Sequence, residues 1–295
     1  MQELTTTLNA LCDDEPYVTG WYLKDLATGA TAERNGDTVF PSASTRKISI
    51  LMAALAAVHA GTLDLDAPFT IDKEYQDNNS GVFQFLSTGI TLTFRDALTM
   101  MIIVSDNACT GKIVDMLGLD AINAYTRRVG MVGSTHRFNI PPKTGRDHTL
   151  EEANTTTPSD VGRLLKSILR GTTDAAVAAK LGVTTDLCKL ALDILLMQRL
   201  TSRLPNQLPT EARVAHKTGT GVLGRNNNDA GIIFQGETPT FILTVFTEHL
   251  PVNMPHGTSG YLHAGLMIAR MAKAAYDALA DPAKTEGRQQ AAAVS

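Results

Sequence analysis

The sequence predicts an antiparallel sheet lobe of α/β type joined to an all-helical lobe. Three observations carry that expectation. Segments rich in strand formers lie near both ends of the chain, apolar residues recur at helical spacing through the middle, and a helical segment near each terminus can cover a sheet. With 295 residues, 43% of them hydrophobic, the chain is long enough to bury a sizeable core.

Taken in order, Gln2 to Cys12 reads as a short amphipathic helix. Tyr17 to Leu26 is strand-like, and a turn at Ala27-Thr28-Gly29 leads to a second extended segment ending near Phe40, which makes a hairpin. Helices are expected at Thr45–Ala60, Thr93–Met100, Asn107–Met116, Leu119–Val129, Pro158–Leu169 and Asp186–Arg199. Extended segments return at Arg213–Lys217, Ala230–Phe234 and Thr240–Phe246, with Gly236-Glu237-Thr238-Pro239 turning the chain between the last two. Gly260 to Leu279 reads as a final helix. Residues 1–43 and 205–282 are therefore expected to form a discontinuous α/β lobe and residues 44–204 a helical lobe, with a disordered tail at 283–295. A cleft between two such lobes is a natural place for a small-molecule site.

A net charge of −4, with no run of like charges, argues against a nucleic-acid or membrane-surface partner. Cys12, Cys109 and Cys188 are odd in number, widely spaced and without a Cys-x-x-Cys, so buried reduced thiols are expected and no metal site. The most apolar stretch, Ile48 to Val58, is too short to span a bilayer. Met1-Gln-Glu-Leu is not a basic segment leading into an apolar one, so the chain as written is expected in the cytoplasm, and in the periplasm or secreted if a leader has been removed. The expected partner is a small-molecule substrate bearing a carboxylate, with no cofactor; nothing indicates an oligomeric state.

Three short motifs follow one another along the chain: Ser44-Thr45-Arg46-Lys47, Ser105-Asp106-Asn107 and Lys217-Thr218-Gly219-Thr220. Ser44 opens an apolar helix, where backbone N–H groups and the helix dipole favour negative charge. Lys47, three residues on, shares its face and can approach the Ser44 hydroxyl. A serine is a poor nucleophile unless a base takes its proton, and lysine serves only when neutral; burial and a second cation such as Lys217 would both favour that. Ser105 can relay a proton to a leaving nitrogen, Asn107 can offer its amide to a substrate carbonyl and to Lys47, and Asp106 is expected to hold its loop through backbone amides. The N–H groups of Ser44 and Thr220 would form an oxyanion hole, and Gly219 would let a substrate approach closely. Lys217 and the hydroxyls of Thr218 and Thr220 would receive a carboxylate, with Arg225 a further candidate for that role. His216 reads as a strand residue rather than a catalyst.

This triple resembles the signature of the class A β-lactamase family and its penicillin-binding relatives. Thr155-Thr156-Thr157-Pro158, Ala215-His216-Lys217-Thr218-Gly219 and Asn228-Asp229-Ala230-Gly231 are similar to further family segments, so the resemblance runs from about Tyr17 to Leu279. It implies a β-lactamase/transpeptidase-like fold. It also implies Ser44 as nucleophile, Lys47 as its base, Ser105 as proton shuttle, Asn107 as substrate ligand, and Lys217 with Thr218 as carboxylate-binding groups. The implied activity opens a β-lactam or related amide through an acyl-serine. Alternatives on the same fold are an esterase, amidase or DD-peptidase-like hydrolase, and a penicillin-binding protein that acylates without turnover. One departure stands out. Counted back without gaps from Thr155, the family's omega-loop glutamate would fall near Pro141 and its arginine–aspartate anchor near Asn139 and Asn154, so both the glutamate and the anchor are expected to be missing. Glu151 and Glu152 are the nearby carboxylates that could substitute if the loop folds differently, so deacylation is expected to be slow.

Overall fold

The computed structural model describes residues 1–77, 80–140 and 145–280. The expectations for Pro141 and for the tail at 283–295 fall outside them. The chain begins with α1 (Gln2–Asp13), which buries Leu4, Leu8 and Cys12 along one stripe. Strands β1 (Val18–Asp25) and β2 (Thr31–Arg34) form the expected hairpin. The extended run toward Phe40 breaks after β2. Phe40–Pro41 is instead a separate short strand, β3.

A 3₁₀ turn over Ala43–Arg46 then leads into α2 (Lys47–His59). Every residue of α2 from Lys47 to Leu55 is buried, so this helix runs through the core rather than along a surface. Next come β4 (Pro68–Thr70) and β5 (Thr91–Thr93), which pair with each other and carry no signal long enough to read from periodicity. The helices α3 (Phe94–Ile103), α4 (Asn107–Leu117) and α5 (Leu119–Arg128) follow. Then β6 (Thr155–Thr156) pairs antiparallel with β3, and α6 (Pro158–Gly171) starts behind a Thr157 side-chain cap with proline in its first turn. The helical stretch closes with α7 (Ala175–Lys180), unforeseen because of its six-residue length, and α8 (Thr185–Leu196).

Strands β7 (Ala212–Thr220), β8 (Asn227–Gln235) and β9 (Thr238–Glu248) join β1 and β2 in one antiparallel sheet of order β2-β1-β9-β8-β7. The turn before β9 is tighter than expected, because Thr238 and Pro239 already belong to the strand. Helix α9 (Gly260–Leu279) packs with α1 on one sheet face, where Trp21, Phe241 and Met271 are among the buried residues. On the other face Phe40, Phe246 and Leu165 of α6 belong to a second core, which continues into α2, α3, α4 and α8. The site-bearing strand β7 is thereby left at the sheet edge. All three cysteines are free and buried. Among the described residues no helix is long and apolar enough to cross a membrane, and no group of three or more His, Cys, Asp or Glu could hold a metal ion.

Candidate active site

Ser44, expected to open an α-helix, sits instead in the 3₁₀ turn ahead of α2. That turn is fixed from three sides. Asn228 Nδ2 donates to Pro41 O (2.9 Å), the Ser42 amide and hydroxyl donate to Asn154 O (2.8 and 2.9 Å), and Thr45 Oγ1 donates to Ser42 O (2.6 Å). Ala43 is driven to φ 44°, a left-handed conformation that costs a non-glycine residue about 1–3 kcal/mol and persists only where its surroundings impose it. Gly219 of β7 lies against the same turn. A Cβ there would meet Ser42 O and Thr45 Cγ2 at 3.0 Å. Glycine at this position therefore lets the turn that bears Ser44 approach the strand, where the sequence suggests the approach of a substrate.

Lys47 enters the site from the first turn of α2 and is 1% exposed. Its Nζ donates to Ser105 O (2.8 Å), Ser105 Oγ (3.1 Å) and Asn107 Oδ1 (2.8 Å), which ties the first motif to the second. Among the described residues, Ser44 Oγ makes no hydrogen bond, so here the amine faces the Ser105 motif rather than Ser44. Catalytic hydrogen bonds often tighten only when substrate binds. Ser105 also has a positive φ, 57°. Asp106 stabilises that shape: Oδ2 accepts from the Val82 and Phe83 amides (2.7 and 3.0 Å) while Oδ1 caps α4 through Cys109 N (3.0 Å).

Burial holds Lys47 well below the usual lysine range, and Lys217 and Arg46 push in the same direction against the opposing charge of Asp106. Lys217 is fully buried and falls to about 7, first through burial and then through Arg203. Its Nζ donates to Thr218 O (2.9 Å). His216 turns to the opposite side of the strand, with Nδ1 2.9 Å from Asp229 Oδ1.

The loop side corrects several expectations. Asn139 and Asn154 do not leave the loop without an anchor. Asn154 Oδ1 accepts from the Arg137 and Phe138 amides (2.7 and 3.0 Å), and its Nδ2 donates to Phe138 O (3.1 Å). Asn139 Nδ2 donates to Gly111 O (2.9 Å) and Asp115 Oδ1 (2.6 Å). Arg46, one residue before Lys47, donates to Phe138 O (3.0 Å) and to Asn139 O. Arg225 is not free to meet a substrate: it is 5% exposed, pairs with Glu248 Oε1 (2.9 Å) and donates to Arg146 O (2.5 Å) and His148 O. Glu152 accepts from the Thr149 amide (2.8 Å) and hydroxyl (3.2 Å), closing a capping box that holds its carboxyl below the usual range. It still borders a cavity of about 70 Å³ shared with Ala43, His148 and Thr220. Glu151 is exposed.

Two residues at this site carry no sequence signal. Arg203, in the coil between α8 and β7, is 3% exposed and donates to Gly219 O (3.0 Å) and Thr220 Oγ1 (2.6 Å). Tyr261, in the first turn of α9, meets the same arginine. Neither belongs to a motif, and both reach the site through space.

The sequence profile of the beta-lactamase enzyme family matches residues 3–279. The chain belongs to that family. This β-lactamase-family hydrolase is 26% identical over 250 residues to beta-lactamase AER-1 of Aeromonas hydrophila, covering 84% of this chain and 79% of that one. It is 25% identical over 235 residues to beta-lactamase VEB-1 of Pseudomonas aeruginosa, covering 73% and 72%. Among solved structures it is similar to a beta-lactamase from Sphaerobacter thermophilus (28% identity, TM-score 0.80, covering 94% of this chain and 97% of that one). It is also similar to PBP-A (25% identity, TM-score 0.79, covering 94% and 96%).

Proposed function

We propose that this chain opens a β-lactam or related amide through an acyl-Ser44 intermediate and releases it slowly. The observation that carries the reading is the convergence of Lys47 on Ser105 and Asn107, within 2.8–3.1 Å, while Gly219 packs the Lys217 strand against the turn that bears Ser44. In this reading neutral Lys47 takes the Ser44 hydroxyl proton as the Oγ–C bond forms. The proton then passes through Ser105 to the departing nitrogen as the C–N bond breaks. The amides of Ser44 and Thr220 hold the developing oxyanion, Asn107 meets a substrate carbonyl, and Lys217 with Thr218 receives the carboxylate. Water must then cleave the ester. A positioned general base contributes about 10²–10⁴-fold to such a step. No carboxylate stands at the gapless-count place, and Glu152 is engaged by Thr149.

A second reading is a penicillin-binding protein that acylates and stalls. The likeness to PBP-A, a point mutant of which has been solved as an acyl-enzyme complex with penicillin G, favours it (25% identity, TM-score 0.79). Intact-mass measurement during incubation with benzylpenicillin tests both. A one-to-one adduct that forms within minutes and decays over a longer time supports the first reading, and one that never decays supports the second. The absence of any adduct, with or without turnover of a chromogenic cephalosporin, contradicts both.

A further inference from the structure

Arg203 Nη1 donates to Gly219 O (3.0 Å) and Asn228 O (2.5 Å), which fixes the guanidinium behind the end of β7. Its Nη2 donates to Thr220 Oγ1 (2.6 Å) and to Tyr261 Oη (2.8 Å). A guanidinium nitrogen of this kind carries two hydrogens, and both are used here. Each hydroxyl therefore receives a hydrogen bond from Arg203, and because the two also bond to each other, one of their protons is used within the pair and the other is left to give elsewhere. The two hydroxyl oxygens are 3.4 Å apart, and Thr220 follows the Lys217-Thr218 pair along β7 with Gly219 between.

Tyr261 is held in place. Asn227 Nδ2 donates to its backbone carbonyl (2.8 Å), and the Arg203 guanidinium carbon lies 5.7 Å from its ring centroid. Its ring is half-buried, while Thr220 is exposed, so the pair opens toward solvent at the strand end. Burial alone would raise the phenol, but the charge of Arg203 and the contacts with Thr220 and Arg203 outweigh it and leave the phenol below its ordinary value, the direction that makes its O–H a better donor.

We infer that Tyr261 is a further specificity-determining residue: its hydroxyl, beside that of Thr220 and polarised by Arg203, donates to the carboxylate of the substrate. The inference deepens the function proposed above and rests on it. Arg203 acts as a positioning cation, holding the linked pair of hydroxyls in the orientation that an anion needs.

The test uses the Ser44→Ala protein, so that binding is read without acylation. Benzylpenicillin and its methyl ester are titrated calorimetrically into Ser44→Ala and into Ser44→Ala/Tyr261→Phe. Phenylalanine keeps the ring over Arg203 and removes only the hydroxyl. The acid should lose about tenfold in affinity, as befits one hydrogen bond to a charged group, and the ester less than about twofold. An equal loss for acid and ester, no loss for either, or no binding of the acid to the Ser44→Ala protein overturns the inference. Thermal melting of both proteins controls for folding, and Tyr261→Leu, which fills part of the same space and has no polar hydrogen, repeats the comparison if Tyr261→Phe is unstable. Should the parent protein fail to acylate while the acid-to-ester ratio still drops, the acyl-serine reading falls and the role of Tyr261 stands.

Discussion

Two segments wall this site, and each is tied down by one side chain that satisfies backbone groups. On the α4 side the tie is Asp106, which accepts from the amides of Val82, Phe83 and Cys109. On the loop side it is Asn154, which accepts from the amides of Arg137 and Phe138 and donates to Phe138 O. The mechanical job is the same, but one tie is a carboxylate and the other a neutral amide. The difference reaches Lys47. Asp106 opposes the lowering of its pKa, whereas Arg46, which binds the loop carbonyls Phe138 O and Asn139 O, adds to it. Anchoring a loop and setting the charge of the base are thus separable: the loop's own tie, Asn154, is neutral, and the cation beside Lys47 is Arg46 of the Ser44 turn.

The largest way to break the comparison is to remove the ties. Asp106→Ala leaves three amides without an acceptor, two of them outside any α-helix, and should cost about 3–5 kcal/mol in a urea unfolding series. Asn154→Ala removes weaker, uncharged bonds and should cost about 2 kcal/mol. A larger loss for Asn154 than for Asp106 would reverse the ranking of the two walls.

A smaller effect sharpens the electrostatic half. The groups facing Lys47 are Lys217 from β7, Arg46 from its own turn, and Asp106 and Cys109 from the start of α4. Lys47 accepts a proton only when neutral, so acylation should rise with pH through its pKa. Removing a neighbouring cation raises that pKa and moves the rise to higher pH. Arg46→Met should shift it by about half a unit to one unit, read from acylation rates of the penicillin methyl ester, which removes the carboxylate contact of Lys217 and leaves that lysine's effect on Lys47 the same in both proteins. An unmoved profile with a lowered melting temperature would reduce Arg46 to a loop anchor.

The smallest expected effect concerns the carboxylates. Glu151→Gln and Glu152→Gln should change deacylation less than about twofold, since Glu151 is exposed and Glu152 is engaged in its capping box. A stop in deacylation on either change would make that glutamate the base on the loop side.

Where the chain's signals are local, they were legible in the sequence. Helix α9 matched its expected bounds, and α4 began at Asn107 as its cap predicts. Ser44 and Lys47 could be paired because their spacing is fixed within one turn. What escaped depends on distance through space. β3 left the hairpin because its partner, β6, lies at Thr155–Thr156. Arg225 had the charge and the neighbourhood of a ligand, yet Glu248 and two loop carbonyls claim it. Arg203 and Tyr261 converge on Thr220 from a coil and from a helix far along the chain, and neither stands in any motif. Gly219 was recognised as a close-approach glycine, but only the fold shows that the turn of Ser44 is what approaches.

The central claim is that Ser44 takes the acyl group and that its release is the slow step. The direct measurement is intact-mass and peptide-level mass spectrometry of the parent and Ser44→Ala proteins after a short exposure to benzylpenicillin. The account predicts a one-to-one adduct on the peptide containing Ser44 in the parent, and none in Ser44→Ala, whose turnover should fall at least about a thousandfold with the fold intact. An adduct on any other residue, an adduct that survives Ser44→Ala, or rapid turnover without a detectable acyl-enzyme would contradict it.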